Sequence, residues 1–477
     1  LVNYAQWKIM SPESRLLDVD EVDGFIAQVW TGTSGTGNVY GGHYRSRTFE
    51  TAYLEYGIMQ ELVKGTDKEV WFLQDPVEDN PEHGWEEYAD KYKKTLTAAL
   101  FWPDVDHYEV CPWPNRVFKG RYPRKVGLAE GMIPTEDMEG AKNIPDTYAT
   151  FLAGMIQTLG DMTKEESETE KDAVGVFLAD SCMYQRTYPD QVEHHGQKIN
   201  LSGMEDWMNR LIFQKEEERQ LLLSMEKMEY AYKECCAFPD WFGLTLPLLK
   251  YGLPIQPVYF DHMVRYEEYL RKYRYLILSY EFMKPESEEF HHKLVEWVKQ
   301  GGTLFYIGKD FDPYNYLQEW WQKFSCDTPA QHLFAEFGMD KEPANGCYRI
   351  GEGNVLVWNE VPALLSVNEA IADKYRNWIR EGLKMGGYHW NMCNYLSVRR
   401  DPYIVIASMQ ESDTGSVYTK EGLFVDLYED KYPVVERVLV EPGQEKLLFD
   451  LEKIKEDVRI IATAARIENM ACENGQL

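Results

Sequence analysis

Over its first 160 residues the chain alternates short apolar runs with longer stretches in which apolar residues return every three to four positions. That alternation marks successive βα units around a parallel sheet. Four runs read as strands, Leu1 to Trp7, Val22 to Trp30, Glu69 to Leu73 and Val105 to Val110, each ending in polar or aromatic residues where a barrel strand delivers its top-face side chains. Helical stripes lie between and after them: Ala52, Tyr56, Met59 and Val63, then Trp85, Tyr88, Tyr92, Leu96 and Ala99, then Tyr148, Leu152, Met155 and Leu159. Four βα units make half of a (β/α)8 TIM barrel, which cannot close on itself. The expectation is the C-terminal half of such a barrel, with four strands upstream of Leu1. The opening Leu1-Val2-Asn3-Tyr4, apolar and without an initiator methionine, reads as a cut start.

After a charged stretch from Thr163 to Asp172 the pattern changes. Val174 to Asp180 reads as a buried strand with a polar end, and a long Glu/Lys/Met-rich helix is expected across Met204 to Cys236. Trp241 to Tyr251 (helix), Leu253 to Phe260 and Tyr273 to Tyr280 (strands), Glu286 to Lys299 (helix) and Gly302 to Ile307 (strand) continue the alternation. The Phe290, Leu294, Trp297 stripe and the Gly301-Gly302 stop describe a helix docking on a sheet, and an open flavodoxin-like sheet is the natural architecture. Beyond Asn391 the helical periodicity ends. Short alternating runs at Tyr395 to Arg399, Tyr403 to Ser408, Gly422 to Leu427, Val434 to Val440, Lys446 to Phe449 and Val458 to Ala464 predict a small antiparallel β-sandwich. The chain is thus an α/β protein in three parts: a C-terminal part of a TIM barrel over 1–165, a flavodoxin-like domain over 166–385 and a β-sandwich over 386–477.

Length agrees with several cores, because 477 residues exceed the roughly 250 at which compact domains split. Charge narrows the partners. A balance of 50 basic against 79 acidic side chains leaves −29, with no basic stripe to neutralise phosphates, so nucleic acid is not expected as a partner. No apolar run approaches the roughly 20 residues that cross a bilayer. The 8 cysteines form no C-x-x-C pair and no zinc-spaced cluster with histidine, so neither metal nor cofactor is expected. Cys235 and Cys236 read as free thiols, and the setting as reducing and cytoplasmic. Aromatic residues reach 14%, which suits either an aromatic core or the stacking of sugar rings.

Two strand ends concentrate polar groups: Gln74-Asp75-Pro76-Val77-Glu78-Asp79 at the end of the third strand, and Glu109 through Cys111, Trp113 and Arg116 at the end of the fourth. Glycoside cleavage needs two carboxyl groups flanking the scissile bond, about 5–5.5 Å apart in retaining enzymes and about 6.5–9.5 Å in inverting ones. Asp75 and Glu109, on adjacent strands roughly 5 Å apart in the sheet direction, can meet the shorter distance. The competing structural reading has Asp75 capping its loop and Glu109 pairing with Arg116. Asp79 reads first as a loop residue and second as a sugar ligand. Gln28 and Trp30 lead into a glycine-rich loop that lacks the G-K-[ST] of a phosphate cradle and is better suited to a sugar subsite. Trp7, Trp30, Trp71 and Trp113 are the stacking candidates. Asp180 to Arg186 follows the first strand of the middle part, where open α/β sheets place ligands, but Ser181 has no His or Asp at nucleophile-elbow spacing.

Three segments, Gly243 to Pro257 (GLTLPLLKYGLPIQP), Tyr273 to Pro285 (YRYLILSYEFMKP) and Leu294 to Tyr306 (LVEWVKQGGTLFY), resemble the glycoside hydrolase family 42 β-galactosidases, whose middle part is called the β-galactosidase trimerisation domain. The barrel segments QVWTGT, FLQDPVED and YEVCPWPNR look like a distinct subfamily. The resemblance implies a glycoside hydrolase acting on an oligosaccharide or glycoside, assembled as a homo-trimer. In the related clan the general acid ends the fourth barrel strand and a glutamate nucleophile ends the seventh. Counted back from the linker, Asp75 ends the seventh strand and Glu109 lies on the eighth, so an aspartate stands where a glutamate is expected and the fourth strand falls upstream. Two mechanisms stay open: Asp75 as nucleophile with an acid upstream of Leu1, or Asp75 and Glu109 as the pair. Gln28, Trp30, Trp71, Asp79, Trp113 and Arg116 would line the sugar subsites. The rival reading is a non-catalytic carbohydrate-binding or assembly protein with a degenerate barrel. A nucleotide- or amide-processing enzyme centred on the middle part lacks the nucleophile or phosphate loop it would need.

Overall fold

The computed structural model describes residues 2–4, 12–30, 37–41, 43–77, 83–105, 107–126, 134–162, 174–179, 191–194, 197–200, 239–310, 315, 320–454 and 459–465. The first sheet is four-stranded and wholly parallel, in the order β1 (Val2–Tyr4), β2 (Gly24–Trp30), β5 (Glu69–Asp75), β6 (Tyr108–Val110). All four expected strand runs are present. Two antiparallel hairpins absent from the periodicity decorate it: β3 (Gly37–Tyr40) with β4 (His43–Ser46), and β7 (Tyr122–Val126) with β8 (Pro134–Lys142). The two faces of the sheet differ. Phe25, Ala27, Val29, Phe72 and Gln74 point to the helical side and are completely buried, whereas Trp71 on the other side is 38% exposed.

The helix Thr48–Leu62 explains why the helical side is dry: every one of its residues is buried, glutamates included. Its expected stripe faces the first sheet, where Tyr56 packs on Phe72 at 4.4 Å and donates its hydroxyl to the Leu73 carbonyl at 3.1 Å. Its opposite face meets a second parallel sheet, where the Tyr53 hydroxyl donates to the Ile255 carbonyl at 3.0 Å. A helix wedged between two sheets has no solvent face and so shows little amphipathic contrast.

The second sheet has six strands in the order β12 (Ile255–Tyr259), β9 (Val174–Leu178), β13 (Tyr275–Leu278), β14 (Thr303–Ile307), β16 (Gly353–Trp358), β15 (Gly346–Ile350), all parallel except the β15 edge. Its first four strands and the helices Pro239–Leu249 and Glu289–Lys299 match the expectation. The β15–β16 pair and the helix Glu369–Met385 complete it. In chain order the run is 2-1-3-4-6-5, which contains the flavodoxin-like progression with its switch beside β9. A short hairpin, β10 (Gln191–His194) with β11 (Gln197–Asn200), follows β9. The helix expected across Met204 to Cys236, the charged stretch Thr163 to Asp172 and the segment Asp180 to Arg186 lie outside the described residues.

The C-terminal part is β-rich, but a sandwich of two sheets is not what forms among the described residues. Five antiparallel strands make one sheet, β17 (Tyr395–Arg400), β18 (Tyr403–Ser408), β21 (Glu445–Asp450), β19 (Tyr418–Asp426), β20 (Val434–Val440). Residues 459–465, within the sixth expected strand, take no strand conformation. One sheet serves because it coils. A register shift between Glu421 and Phe424, with Gly422 at φ 142°, bends β19 so that Val438 and Val440 close over Ile404, Ile406 and Leu448 in a small core of their own. The other face, through Tyr403, Val405 and Phe449, joins the main core, which runs unbroken from Leu17 to Phe449. No helix among the described residues is long and apolar enough to cross a membrane.

Candidate functional site

Strand pleating settles which side chains of the first sheet can meet. Phe72 and Gln74 point to the helices, Gln74 accepting from the Tyr92 hydroxyl at 3.4 Å, so Trp71, Leu73 and Asp75 point the other way. Leu73 pairs in register with Gln28 on one side and Glu109 on the other. Laterally paired residues of a parallel sheet share a face, so Gln28, Asp75 and Glu109 project from one surface. The two carboxylates are not side by side. Asp75 stands two residues beyond the Glu109 level, and one strand spacing combined with one pleat repeat separates their Cα atoms by roughly 8 Å.

Asp75 is 3% exposed. Its Oδ1 accepts from the Val77 backbone N–H at 3.1 Å, and Arg116 Nη1 stands 4.0 Å from Oδ2. The loop-capping role weighed for Asp75 is therefore real, and Arg116 comes to Asp75 and not to Glu109. Arg116 is carried by the short helix Pro114–Phe118, which begins after Trp113 at the end of the β6 loop. That loop turns sharply at Cys111, whose φ is 61°. Burial, aided by the Asp75 charge, pushes the Cys111 thiol up to about 11, so it stays protonated at neutral pH. Glu109 is half-buried, and among the described residues its carboxyl has no hydrogen-bond or ion-pair partner.

The remaining candidates divide. Gln28 is buried on the shared surface. Trp113 is 54% exposed at the carboxyl edge, the environment of a stacking platform. Trp71 is exposed too, but it lies four residues before Asp75, roughly 13 Å lower along the strand. There it stacks on His107 at 5.1 Å and donates Nε1–H to Glu69 Oε2 at 3.2 Å, so it is not brought to the carboxylates. Trp30 pairs in register with Asp75 in the backbone, while its side chain, and the whole of Trp7 and Asp79, lie outside the described residues. No cluster of three or more His, Cys, Asp or Glu able to hold a metal occurs among the described residues.

Two buried ionic clusters went unnoticed in the sequence, and both sit at the ends of the Thr48–Leu62 helix. Near its start, Lys250 Nζ lies 2.5 Å from Glu50 and 3.0 Å from Glu411, which also receives Arg47 at 2.6 Å. Near its end, Glu61 accepts from the Tyr269 and Tyr273 hydroxyls at 2.5 and 2.9 Å and pairs with Lys272 at 2.9 Å. The available signal was the run of Glu50, Glu55 and Glu61 inside a helix with no polar face.

No protein-family profile matches the chain, and no curated protein matches it. Among solved structures, a GH42 exo-carrageenase from Bacteroides ovatus aligns at 9% identity over 91% of this chain and 48% of its own, with a TM-score of 0.39. A β-galactosidase from Bacillus circulans sp. alkalophilus aligns at 10% identity over 90% and 63%, with a TM-score of 0.41. A catalytic mutant of a GH42 β-galactosidase from G. stearothermophilus aligns at 9% over 92% and 60%, with a TM-score of 0.36. The relation is structural and distant, and the chain spans less than two thirds of the length of each of these structures.

Proposed function

We propose that the carboxyl edge of the first sheet is the C-terminal side of a TIM-barrel glycosidase cleft, and that Asp75 and Glu109 are its working carboxylates on this chain. The observation that carries the reading is their placement on one face of adjacent parallel strands, one pleat apart, with Trp113 exposed at the edge above. Parallel α/β sheets keep their chemistry at the carboxyl ends of the strands. Asp75, fixed by the Val77 N–H and the nearby Arg116, is positioned for nucleophilic attack or for stabilising an oxocarbenium-like centre. Glu109, half-buried and without a hydrogen-bond or ion-pair partner among the described residues, is placed to bind a sugar hydroxyl or to serve as the second carboxylate. Gln28 and Trp113 would orient the ring. The motif resemblance supports an O-glycosidase, β-galactosidase-like reading with a neutral or galactosidic saccharide as substrate, assembly as a trimer and a cytoplasmic setting. The same reading assigns residues 1–165, 166–385 and 386–477 to the barrel, trimerisation-like and C-terminal domains.

Release of nitrophenol from aryl glycosides tests it. Asp75→Asn and Glu109→Gln should each lower kcat/KM by about 100-fold or more, about 3 kcal/mol in the barrier. Unchanged turnover in Asp75→Asn removes Asp75 from the chemistry. One observation favours the second reading, a non-catalytic saccharide-binding or assembly protein: Asp75 is almost fully buried and caps its own loop. That reading expects no turnover in the native chain, and a stability loss without an activity change in Asp75→Asn.

A further inference from the structure

A cavity of about 900 Å³ opens at the carboxyl ends of β14 and β16 and shares no lining residue with the Asp75–Glu109 cluster. Its size falls within the range of small-molecule sites, and its position is where open α/β sheets bind ligands. The turn after β14 is shaped for it. Tyr306 donates its hydroxyl to both carboxylate oxygens of Asp310 at 2.7 Å, and Asp310 holds a left-handed backbone at φ 54°. From beneath, Glu281 Oε1 accepts the N–H groups of Lys309 and Asp310, both at 2.8 Å. A non-glycine residue held in this conformation costs free energy and is commonest where a site requires it.

Asn315 supplies an independent sign of a ligand. The residue lines the cavity and is 4% exposed, its Nδ2 donates to the Asp310 carbonyl at 2.6 Å, and its buried Oδ1 makes no hydrogen bond. A buried acceptor left unmade costs about 1–3 kcal/mol, which a ligand donor would remove. The ligand's chemistry follows from the rest of the wall. The cations are already engaged, Lys341 with the Ser325 carbonyl at 2.6 Å and Lys309 with Glu360 at 3.3 Å. The start of the helix Pro329–Glu336 is closed by its own side chains, Gln331 N–H on Thr328 Oγ1 at 3.2 Å and Asp327 N–H on Gln331 Oε1 at 2.8 Å. Asp310, Asp327 and Glu342 add negative charge. Among the described residues a phosphate would find repulsion and no free donor cluster, whereas hydroxyl groups find acceptors, amides and the Phe334 ring.

We propose that this cavity is a second saccharide site, taking a neutral mono- or disaccharide whose hydroxyls donate to Asn315 Oδ1 and the Asp310 carboxylate. Titration calorimetry tests it on the full chain carrying Asp75→Asn and Glu109→Gln, with glucose, galactose, maltose, lactose, cellobiose and inorganic phosphate as probes. At least one sugar should bind and phosphate should not. Adding Asn315→Ala should weaken that sugar by about tenfold, the loss of one buried hydrogen bond, and Gln322→Ala at the exposed rim should weaken it by a smaller factor without touching the fold. Asn315→Ala alone should leave aryl-glycoside turnover unchanged, which separates this site from the carboxylate cluster. The proposal fails if no sugar of the set binds, if phosphate binds in their place, or if sugar binding is unchanged in Gln322→Ala together with Asn315→Ala.

Discussion

Gly57 lies midway along the buried Thr48–Leu62 helix, and a Cβ built there would stand 2.3 Å from the Trp102 ring and 3.0 Å from Pro257. Neither neighbour can yield, since the indole is pinned by its Nε1–H bond to the Tyr53 carbonyl at 3.0 Å and the proline belongs to β12. Alanine gains about 1 kcal/mol of helix propensity over glycine, but overpacking a tight core costs about 1–3 kcal/mol. Gly57→Ala should therefore lower the urea midpoint. Gly160, in the helix Asp146–Asp161, has nothing within 4 Å of its virtual Cβ, and Gly160→Ala should raise the midpoint slightly. Two helical glycines with opposite outcomes look alike in sequence, because the neighbours that distinguish them are remote along the chain. The same limit applies at the carboxylates. That Asp75 and Glu109 share a face, their one-residue-pair stagger and the choice of Arg116 for Asp75 all depend on register and loop path, which alternation within a strand does not encode.

The Thr48–Leu62 helix ends at a histidine from the short helix His262–Arg265 that follows β12. His262 is buried, and its Nε2–H bonds the Leu62 carbonyl at 2.7 Å, satisfying one of the helix's orphan acceptors. Burial holds its imidazole down at about 4, against an ordinary 6.5, although the Leu62 bond opposes the shift. In the unfolded chain the ring takes its proton first as pH falls. The contribution is therefore intact above pH 6.5 and is lost between pH 6.5 and about 4, amounting to about 3 kcal/mol across that window. Chemical denaturation at a series of pH values should show this slope, and His262→Asn, which keeps a donor without titrating, should flatten it; an equal slope in both proteins would refute the assignment. Such a cap is invisible to periodicity. The four strands of the first sheet, four of the six in the second, the five of the C-terminal sheet and the helices with a regular apolar stripe were legible because their own side chains alternate or recur; β15, β16 and the helix Glu369–Met385 were not read, and the β3–β4 and β7–β8 hairpins carry too few apolar residues to register. Among the described residues the sandwich expectation gives way to a single sheet for a related reason: alternation reports a strand with two faces but not how many sheets the strands form.

The three sheets act as one body because charges remote in sequence converge where they meet. Arg47, leading from the β3–β4 hairpin into the buried helix, donates Nε to Glu411 Oε2 at 2.7 Å and Nη2 to Oε1 at 2.6 Å, and Glu411 follows β18 of the C-terminal sheet. Lys250, just past the helix Pro239–Leu249, bridges Glu50 and Glu411. Nothing in the sequence links positions so far apart along the chain, so this interlock was not legible there. Burial would raise the Glu411 carboxyl, but the Arg47 hydrogen bond and the Lys250 and Arg47 charges outweigh it and hold it at about 2. A depressed carboxylate stabilises the fold above its unfolded value of 4.5 and loses that contribution as pH falls towards 2, about 3 kcal/mol in all. Removing the acid should cost about 3–5 kcal/mol at neutral pH, because Arg47 would stay buried without its counter-charge while Lys250 kept only that of Glu50. Calorimetry of Glu411→Gln should then show a lowered Tm and a C-terminal transition separated from the rest, with the acid-side slope gone. The exposed Arg437–Glu421 pair, at 3.2 Å, is the matched control, and Arg437→Ala should change stability by less than about 1 kcal/mol. A single unshifted transition in Glu411→Gln would mean that the Tyr428 hydroxyl bond to Thr97 and its ring contact with Phe151, not the ion cluster, couple the C-terminal sheet to the remainder.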